Sequence, residues 1–317
     1  HTAYRRQRQM CIRDSVTAVT CSVPGIFLVL RHQSMLVDAM SHAVLPGIAI
    51  GALLSGSLNS PLLVVIATLM GLVVVIGAEC LARTGLVTGD ANQGLIFPVL
   101  FSIGVILLST VLAEVHIDES TILAGNINLQ ALSVNHIVFG TIDIGPITMW
   151  KEIVVCAITT IVLFAMRRVL AVATFDPQLA RTMGLPVRLT NGILMCLIAL
   201  TVVVCFDAVG SILVVALMIA PPATALLMAR TLRRMVGWTI VVAVVSAVVG
   251  FELAKIWDLA TSSMMSAVSG VVFLVVLAGT NIATRIRQRS LAKKPAPTEV
   301  HPRDSRAVST KTVPDAV

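Results

Sequence analysis

The stretch LVDAMSHAVLPG, which runs from Leu36 to Gly47, places a carboxylate and an imidazole within an apolar segment. Asp38 and His42 are four residues apart, and residues at that spacing share one face of an α-helix. Small or apolar residues surround both of them. The chemical role of this pair depends on whether water or lipid surrounds the helix. The amino-acid composition indicates which of the two it is.

The composition is that of a membrane protein. Of the 317 residues, 57% are hydrophobic and 12% are charged, whereas about a quarter of the residues in a soluble domain are charged. We predict an all-α polytopic fold with eight or nine transmembrane helices, because the apolar runs approach the length that spans a bilayer. The runs cover residues 16–30, 38–56, 61–79, 93–112, 149–168, 190–206, 209–229, 236–254 and 263–281.

The two ends of the chain are predicted to lie outside the transmembrane domain. RRQRQMCIRDS, at residues 5–15, matches the translation of a common sequencing adaptor. We therefore expect residues 1–15 to be non-native, the alternative being a native basic N-terminus. The transmembrane domain then covers residues 16–282, with a truncated first helix. Residues 283–317 have little apolar content and are predicted to form a disordered basic tail.

Clusters of arginine and lysine predict the orientation in the membrane. They lie at residues 167–188, 230–234 and 285–294, and two spans separate each cluster from the next. Because basic loops face the cytoplasm, we expect these clusters and the C-terminus to be cytoplasmic. The segment 113–148 then lies outside, where its acidic start could attract cations or be an ordinary solvated loop.

The chemistry of the opening pair leaves two interpretations. Pro46 has no N–H, so the carbonyl of His42 loses its helical donor. A carboxylate, an imidazole and a free carbonyl on one helical turn suit Mn²⁺, Zn²⁺ or Fe²⁺. Alternatively, Asp38 caps the start of the helix and His42 is a hydrogen-bonded core residue. The residues alone do not decide between these interpretations.

A second stretch, FDPQLARTMGLP at 175–186, predicts a short helix between two spans. Asp176 followed by Pro177 is typical of a helix start, and Gly184 with Pro186 is typical of a helix end. Such a helix on a basic loop is suited to docking into a groove on a partner. On the residues alone, a plain connecting loop is the favoured interpretation.

Four segments resemble the metal-ion ABC permeases, the family that imports manganese, zinc or iron(II), in the order of that family. They are LVDAMSHAVLPGIAIGALL (36–54), ILAGNINLQ (122–130), FDPQLARTMGLPVRLTNGIL (175–194) and AVGSILVVALMIAPPATALLMA (208–229). The chain departs from the usual pattern at Val37, Asp207 and ATSSMMS (260–266). None of these departures removes the Asp38–His42 pair.

The resemblance implies a multi-pass permease subunit in the bacterial inner membrane that binds no resident cofactor. Its cargo is a divalent metal ion, contacted by Asp38 and His42 beside a helix kinked at Pro46. The resemblance assigns the second stretch as the loop that couples to an ATPase. The coupling residues that it implies are Phe175, Asp176, Pro177, Ala180, Arg181, Gly184 and Pro186.

The partners follow from the same resemblance and from a missing motif. The sequence contains no GxxxxGK[ST], so ATP hydrolysis requires a separate cytoplasmic ATPase. We also expect an extracytoplasmic metal-binding protein and a second permease, identical or related. No nucleic-acid partner is predicted. The alternatives are a siderophore- or cobalamin-type ABC permease and, less favoured, an ion-coupled secondary transporter.

The adaptor match makes the first testable prediction. Sequencing the source locus should reveal no RRQRQMCIRDS codons upstream of Val16. Different native residues should instead complete the first span, because the run 16–30 is shorter than a bilayer requires. A genomic reading frame that encodes residues 5–15 in place would contradict the prediction.

Overall fold

The computed structural model describes residues 2–55, 61–85, 91–110, 136–139 and 142–292. Its elements in chain order are α1 (Thr2–Leu30), α2 (Met35–Ser55), α3 (Pro61–Arg83), α4 (Ala91–Thr110), β1 (His136–Phe139), β2 (Ile142–Pro146), α5 (Ile147–Phe175), α6 (Pro177–Thr182), α7 (Val187–Val209), α8 (Ser211–Met228), α9 (Leu232–Trp257) and α10 (Thr261–Ala292). The chain divides into two compact units, of which the first ends at Leu277 and the second begins at Ala278.

The predicted all-α polytopic class is confirmed. In the described part of the chain, eight helices are long and apolar enough to cross a membrane, and α4 contains a shorter apolar stretch, Gly94–Thr110. Helices prevail because backbone groups in hydrocarbon must find their hydrogen-bond partners within the chain. The one addition to the predicted elements is the antiparallel pairing of β1 with β2 just before α5.

Several predictions fall at or beyond the limits of the described residues. The acidic start of segment 113–148, the resembling stretch 122–130 and the chain beyond Ala292 lie outside them. Helix α10 includes the first residues of the predicted tail, 283–292. Helix α1 runs without interruption from Thr2 through the first apolar run, so the adaptor assignment of residues 1–15 stays a prediction.

The buried core is formed where α1, α2, α7 and α8 meet. Its largest fully buried side chains include Met40 on α2, Ile198 on α7 and Leu217 on α8. Small residues bring the helices together: a Cβ added at Gly25 would lie 2.0 Å from the carbonyl oxygen of Met218. Close contact through small residues is the usual packing mode where lipid removes the hydrophobic driving force.

Helix α2 is packed in the same way on two sides. A Cβ at Gly47 would lie 2.6 Å from the Cα of Ala67 on α3, and one at Gly104 of α4 would lie 2.8 Å from the ring of Pro46. These contacts leave no room for a larger side chain at either glycine. They fix α2, and with it the predicted pair, against α3 and α4.

The contact between α4 and Pro46 leads to a prediction about stability. Gly104→Ala should lower the thermal unfolding temperature in detergent, because overpacking costs about 1–3 kcal/mol. Gly94→Ala on the same helix is the matched control, since nothing lies within 4 Å of its added Cβ. That control should be neutral or stabilising by up to about 1 kcal/mol. Equal unfolding temperatures for the two variants would show that α4 does not pack closely on Pro46.

Candidate metal-translocation site

Asp38 and His42 lie side by side on α2, as the spacing predicts. The Oδ1 atom of Asp38 is 3.6 Å from the Nε2 atom of His42. Helix α2 starts at Met35, and the N–H of Val37 already donates to the carbonyl of Ser34 at 3.2 Å. Asp38 therefore sits inside the first turn and not at the N-cap position. A negative charge in the first helical turn is also favoured by the helix dipole.

His42 does not have the environment of a hydrogen-bonded core histidine. Its side chain is 26% exposed and that of Asp38 is 42% exposed. The Nδ1 atom of His42 is buried and has no hydrogen-bond partner in the described part of the chain. Buried polar nitrogens are nearly always paired. The nitrogen next to the carboxylate is the other one, Nε2, so the ring faces Asp38 with Nε2 while its Nδ1 lacks, among the described residues, the partner that a core histidine would have.

Two phenylalanines of α4 hold the imidazole ring in place. Phe97 stacks on His42 with the ring centroids 5.2 Å apart, and Phe101 meets it edge-on at 5.5 Å. Aromatic contacts of this kind contribute about 0.5–1.5 kcal/mol each. The sequence analysis missed these two residues. Their spacing of four could have revealed one shared helix face, but not that the face points at His42.

Pro46 lies one turn beyond His42 and is buried within α2. The helix continues through it from Met35 to Ser55, and the ring of Pro46 packs closely against Gly104 of α4. The missing N–H of Pro46 leaves the His42 carbonyl without its usual helical donor. The carboxylate, imidazole and carbonyl predicted from the sequence thus belong to two residues, Asp38 and His42, one turn apart on one side of α2.

A cavity of about 580 Å³ opens in front of Asp38. It lies between the end of α1, the start of α2 and α8. Its lining residues are Val29, His32, Ser34, Met35, Asp38, Val215, Ile219 and Leu226. In the described residues, no three His, Cys, Asp or Glu side chains converge to hold a metal ion. Asp38 and His42 are therefore an open pair and not a closed cage.

The second predicted stretch forms the short helix α6 with both ends capped. At its start, Oδ1 of Asp176 accepts the N–H of Leu179 at 2.9 Å, and Pro177 occupies the first turn. At its end, Gly184 has a φ of +71°. The N–H groups of Gly184 and Leu185 donate to the carbonyls of Arg181 and Ala180, both at 3.1 Å. This is a Schellman motif, in which glycine is preferred because φ is positive.

Helix α6 presents an apolar surface to the outside of the chain. Phe175, Leu179, Met183 and Leu189 are 67%, 49%, 61% and 63% exposed; we call these four residues the α6 surface. Leu179 and Met183 lie outside the candidate membrane spans, where exposed apolar side chains indicate an interaction site, whereas Phe175 and Leu189 lie near the ends of two spans. Arg181 and Arg188, also exposed, lie beside it.

The predicted coupling residues have different positions around α6. Phe175 belongs to the α6 surface, whereas Asp176, Pro177 and Gly184 shape the helix ends. Ala180 is fully buried, so it seats α6 on the neighbouring helices and cannot contact a partner. Leu179, Met183 and Leu189 were missed because apolar residues near predicted spans are indistinguishable from packing residues by sequence.

Comparisons with known proteins show the family and the fold. A model of the family described as the ABC 3 transport family matches residues 4–280. The manganese transport system membrane protein MntD of Bacillus subtilis is 36% identical over 89% of this chain and 96% of its own length. The zinc transport system membrane protein TroD of Treponema pallidum is 39% identical over 65% of this chain and 55% of its own length.

Among solved structures, the fold is similar to that of PsaBC from Streptococcus pneumoniae in complex with Fab. The TM-score is 0.70 and the sequence identity 27%, over 85% of this chain and 90% of that one. The match covers most of both chains, so the arrangement of helices described here is shared with that protein.

Proposed function

Because the chain belongs to the ABC 3 transport family, we propose that it is the permease subunit of an ATP-driven importer of divalent transition-metal ions. It is a multi-pass protein of the bacterial inner membrane and a transport subunit, without an ATPase site of its own. Relatives named for manganese, zinc and chelated-iron transport support this class of cargo. The observation that carries the proposal is the Asp38–His42 pair, of which Asp38 lines the cavity.

Two ligands on one helix suit transport better than storage. A closed four-ligand site holds zinc permanently, whereas an importer must release its ion at each cycle. In a dimer of permeases, an Asp–His pair from each protomer could meet around one ion, and a twofold axis would make that contact self-complementary. The carboxylate supplies charge and the imidazole supplies a borderline nitrogen ligand suited to Mn²⁺, Fe²⁺ or Zn²⁺.

The α6 surface is proposed as the docking site for the separate ATPase. Four exposed apolar side chains next to two arginines resemble half of a protein interface, with an apolar centre and a polar rim. The Schellman cap and the Asp176 cap hold α6 rigid. An extracytoplasmic metal-binding protein would deliver the ion on the opposite side, and the C-terminus would be cytoplasmic.

The proposal predicts the behaviour of variants at the metal pair. Asp38→Asn keeps the size of the side chain and removes its charge, and His42→Ala removes the nitrogen ligand. Both should reach the membrane and bind the ATPase, yet transport little metal, as measured by uptake of radiolabelled Mn²⁺ or Zn²⁺ in cells without their own importer. Asp258→Asn, at the exposed end of α9, is the matched control and should transport normally. Full uptake by both site variants would exclude the pair from the pathway.

The docking assignment predicts a different defect. Gly184→Val forces a β-branched residue to a φ of +71°, and Asp176→Lys removes a cap worth about 1 kcal/mol. Each should reduce co-purification of the ATPase while membrane insertion stays intact. Gly192→Val on α7 is the control, since its added Cβ meets nothing within 4 Å. Undiminished recovery of the ATPase with both docking variants would refute the assignment.

A further inference from the structure

We propose that Arg31 is the mechanical link between the α6 docking element and the cavity in front of Asp38. The inference rests on the proposed function and concerns a positioning residue at the end of α1, outside both the metal pair and the α6 surface. Through this link, movement imposed on α6 would be transmitted to the residues that line the cavity. Its evidence is the pattern of hydrogen bonds around one guanidinium group.

Arg31 holds both chain segments that flank α6. Its Nε atom donates to Oγ1 of Thr174 at 3.2 Å, and its Nη1 atom donates to Oδ1 of Asn191. Thr174 is two residues before Asp176, the N-cap of α6, and Asn191 lies in the first turns of α7 after it. One planar side chain therefore bridges the entry to α6 and the exit from it, a geometry that the rigid fork of arginine allows.

The same residue begins the short connection to α2. The N–H of His32 donates to the carbonyl of Val29 at 3.1 Å, and that of Gln33 to the carbonyl of Leu28 at 3.0 Å. These bonds form a Schellman cap in which His32, with a φ of +55°, takes the position usually given to glycine. A non-glycine residue in this conformation is strained and is held by its surroundings. The connection is therefore stiff.

The stiff connection leads directly to the cavity. His32, Ser34, Met35 and Asp38 all line it, and they follow Arg31 within two helical turns. A displacement of the α5 and α7 ends by an ATPase would move Arg31, and the capped connection would carry that movement to the start of α2. Coupling of this kind needs an element that both sites can bias, and the segment from Arg31 to Asp38 is such an element.

The bonds of Arg31 are suited to a link that changes during a cycle. Burial lowers the pKa of the Arg31 guanidinium because desolvation disfavours the charged form, although arginine remains protonated at neutral pH. The two acceptors named above, a hydroxyl and an amide, are neutral, so each bond is weaker than one in a buried ion pair. Such bonds can break and reform within a cycle without leaving a carboxylate stranded.

The test uses the complete transporter, permease with ATPase and metal-binding protein, in proteoliposomes. Asn191→Leu removes one charge-assisted hydrogen bond and should lower the number of Mn²⁺ ions imported per ATP hydrolysed by roughly tenfold. Arg31→Gln removes that bond and the one to Thr174, so it should lower the ratio by at least as much. ATPase co-purification should be unchanged, and the double variant should be no worse than Arg31→Gln alone. Arg234→Gln, an exposed arginine at the start of α9, is the control.

A second experiment tests the role of Arg31 without measuring metal transport. Ser34→Cys, in a background in which the exposed Cys80 and Cys196 are alanine, reports access to the cavity through its rate of labelling by a thiol reagent. ATP should change that rate when Arg31 is present and should have no effect with Arg31→Gln. The same ATP-dependent change in both backgrounds would overturn the link.

The experiments distinguish failure of the Arg31 link from failure of the proposed function. Wild-type import ratios with Arg31→Gln, or additive losses in the double variant, would overturn the link. Loss of ATPase co-purification with Arg31→Gln would also overturn it, since Arg31 would then support the docking element itself. Failure of the proposed function would appear in the wild-type arm, as absent Mn²⁺ import, and the labelling of Ser34→Cys would still decide the role of Arg31.

Discussion

The close approach of α2 to its neighbours is the contact on which the rest of the structure depends. Gly47 lies against the backbone of α3, and Gly104 of α4 lies against the ring of Pro46. Lipid offers helices no hydrophobic reason to associate, so small residues and van der Waals contact must hold them. The same contacts bring Phe97 and Phe101 of α4 onto His42. The packing of α2 and the geometry of the Asp38–His42 pair are therefore one feature.

Asp38 and α6 are far apart in sequence, and the end of α1 connects to the segments beside both of them. Arg31 reaches Thr174 and Asn191 on either side of α6, while the residues that follow it line the cavity before Asp38. Arg31 and the residues after it thus connect the segments that flank α6 with the cavity through side-chain hydrogen bonds and a hydrogen-bonded turn.

Sequence reasoning predicted the α-helical class, the capped start and end of α6, and the shared face of Asp38 and His42. These features are local: helix length follows from the apolar runs, and the turn at Gly184 follows from its positive φ. It did not predict the short β1–β2 pairing, nor that Ala180 is fully buried while Leu179 is exposed. Apolar patterning in a membrane chain does not distinguish a side chain facing lipid or a partner from one facing the core.

The sequence by itself determined the long helices of this protein, because helices in hydrocarbon must satisfy their own backbone groups and so follow from apolar length. It also determined that Asp38, His42 and Pro46 share one side of α2, since helical periodicity fixes that relation. Only the tertiary structure decided what surrounds them. The aromatic contacts to His42, the cavity beside Asp38 and the bridge from Arg31 to both flanks of α6 join residues distant in sequence, and such contacts arise only when packing selects which helix faces meet.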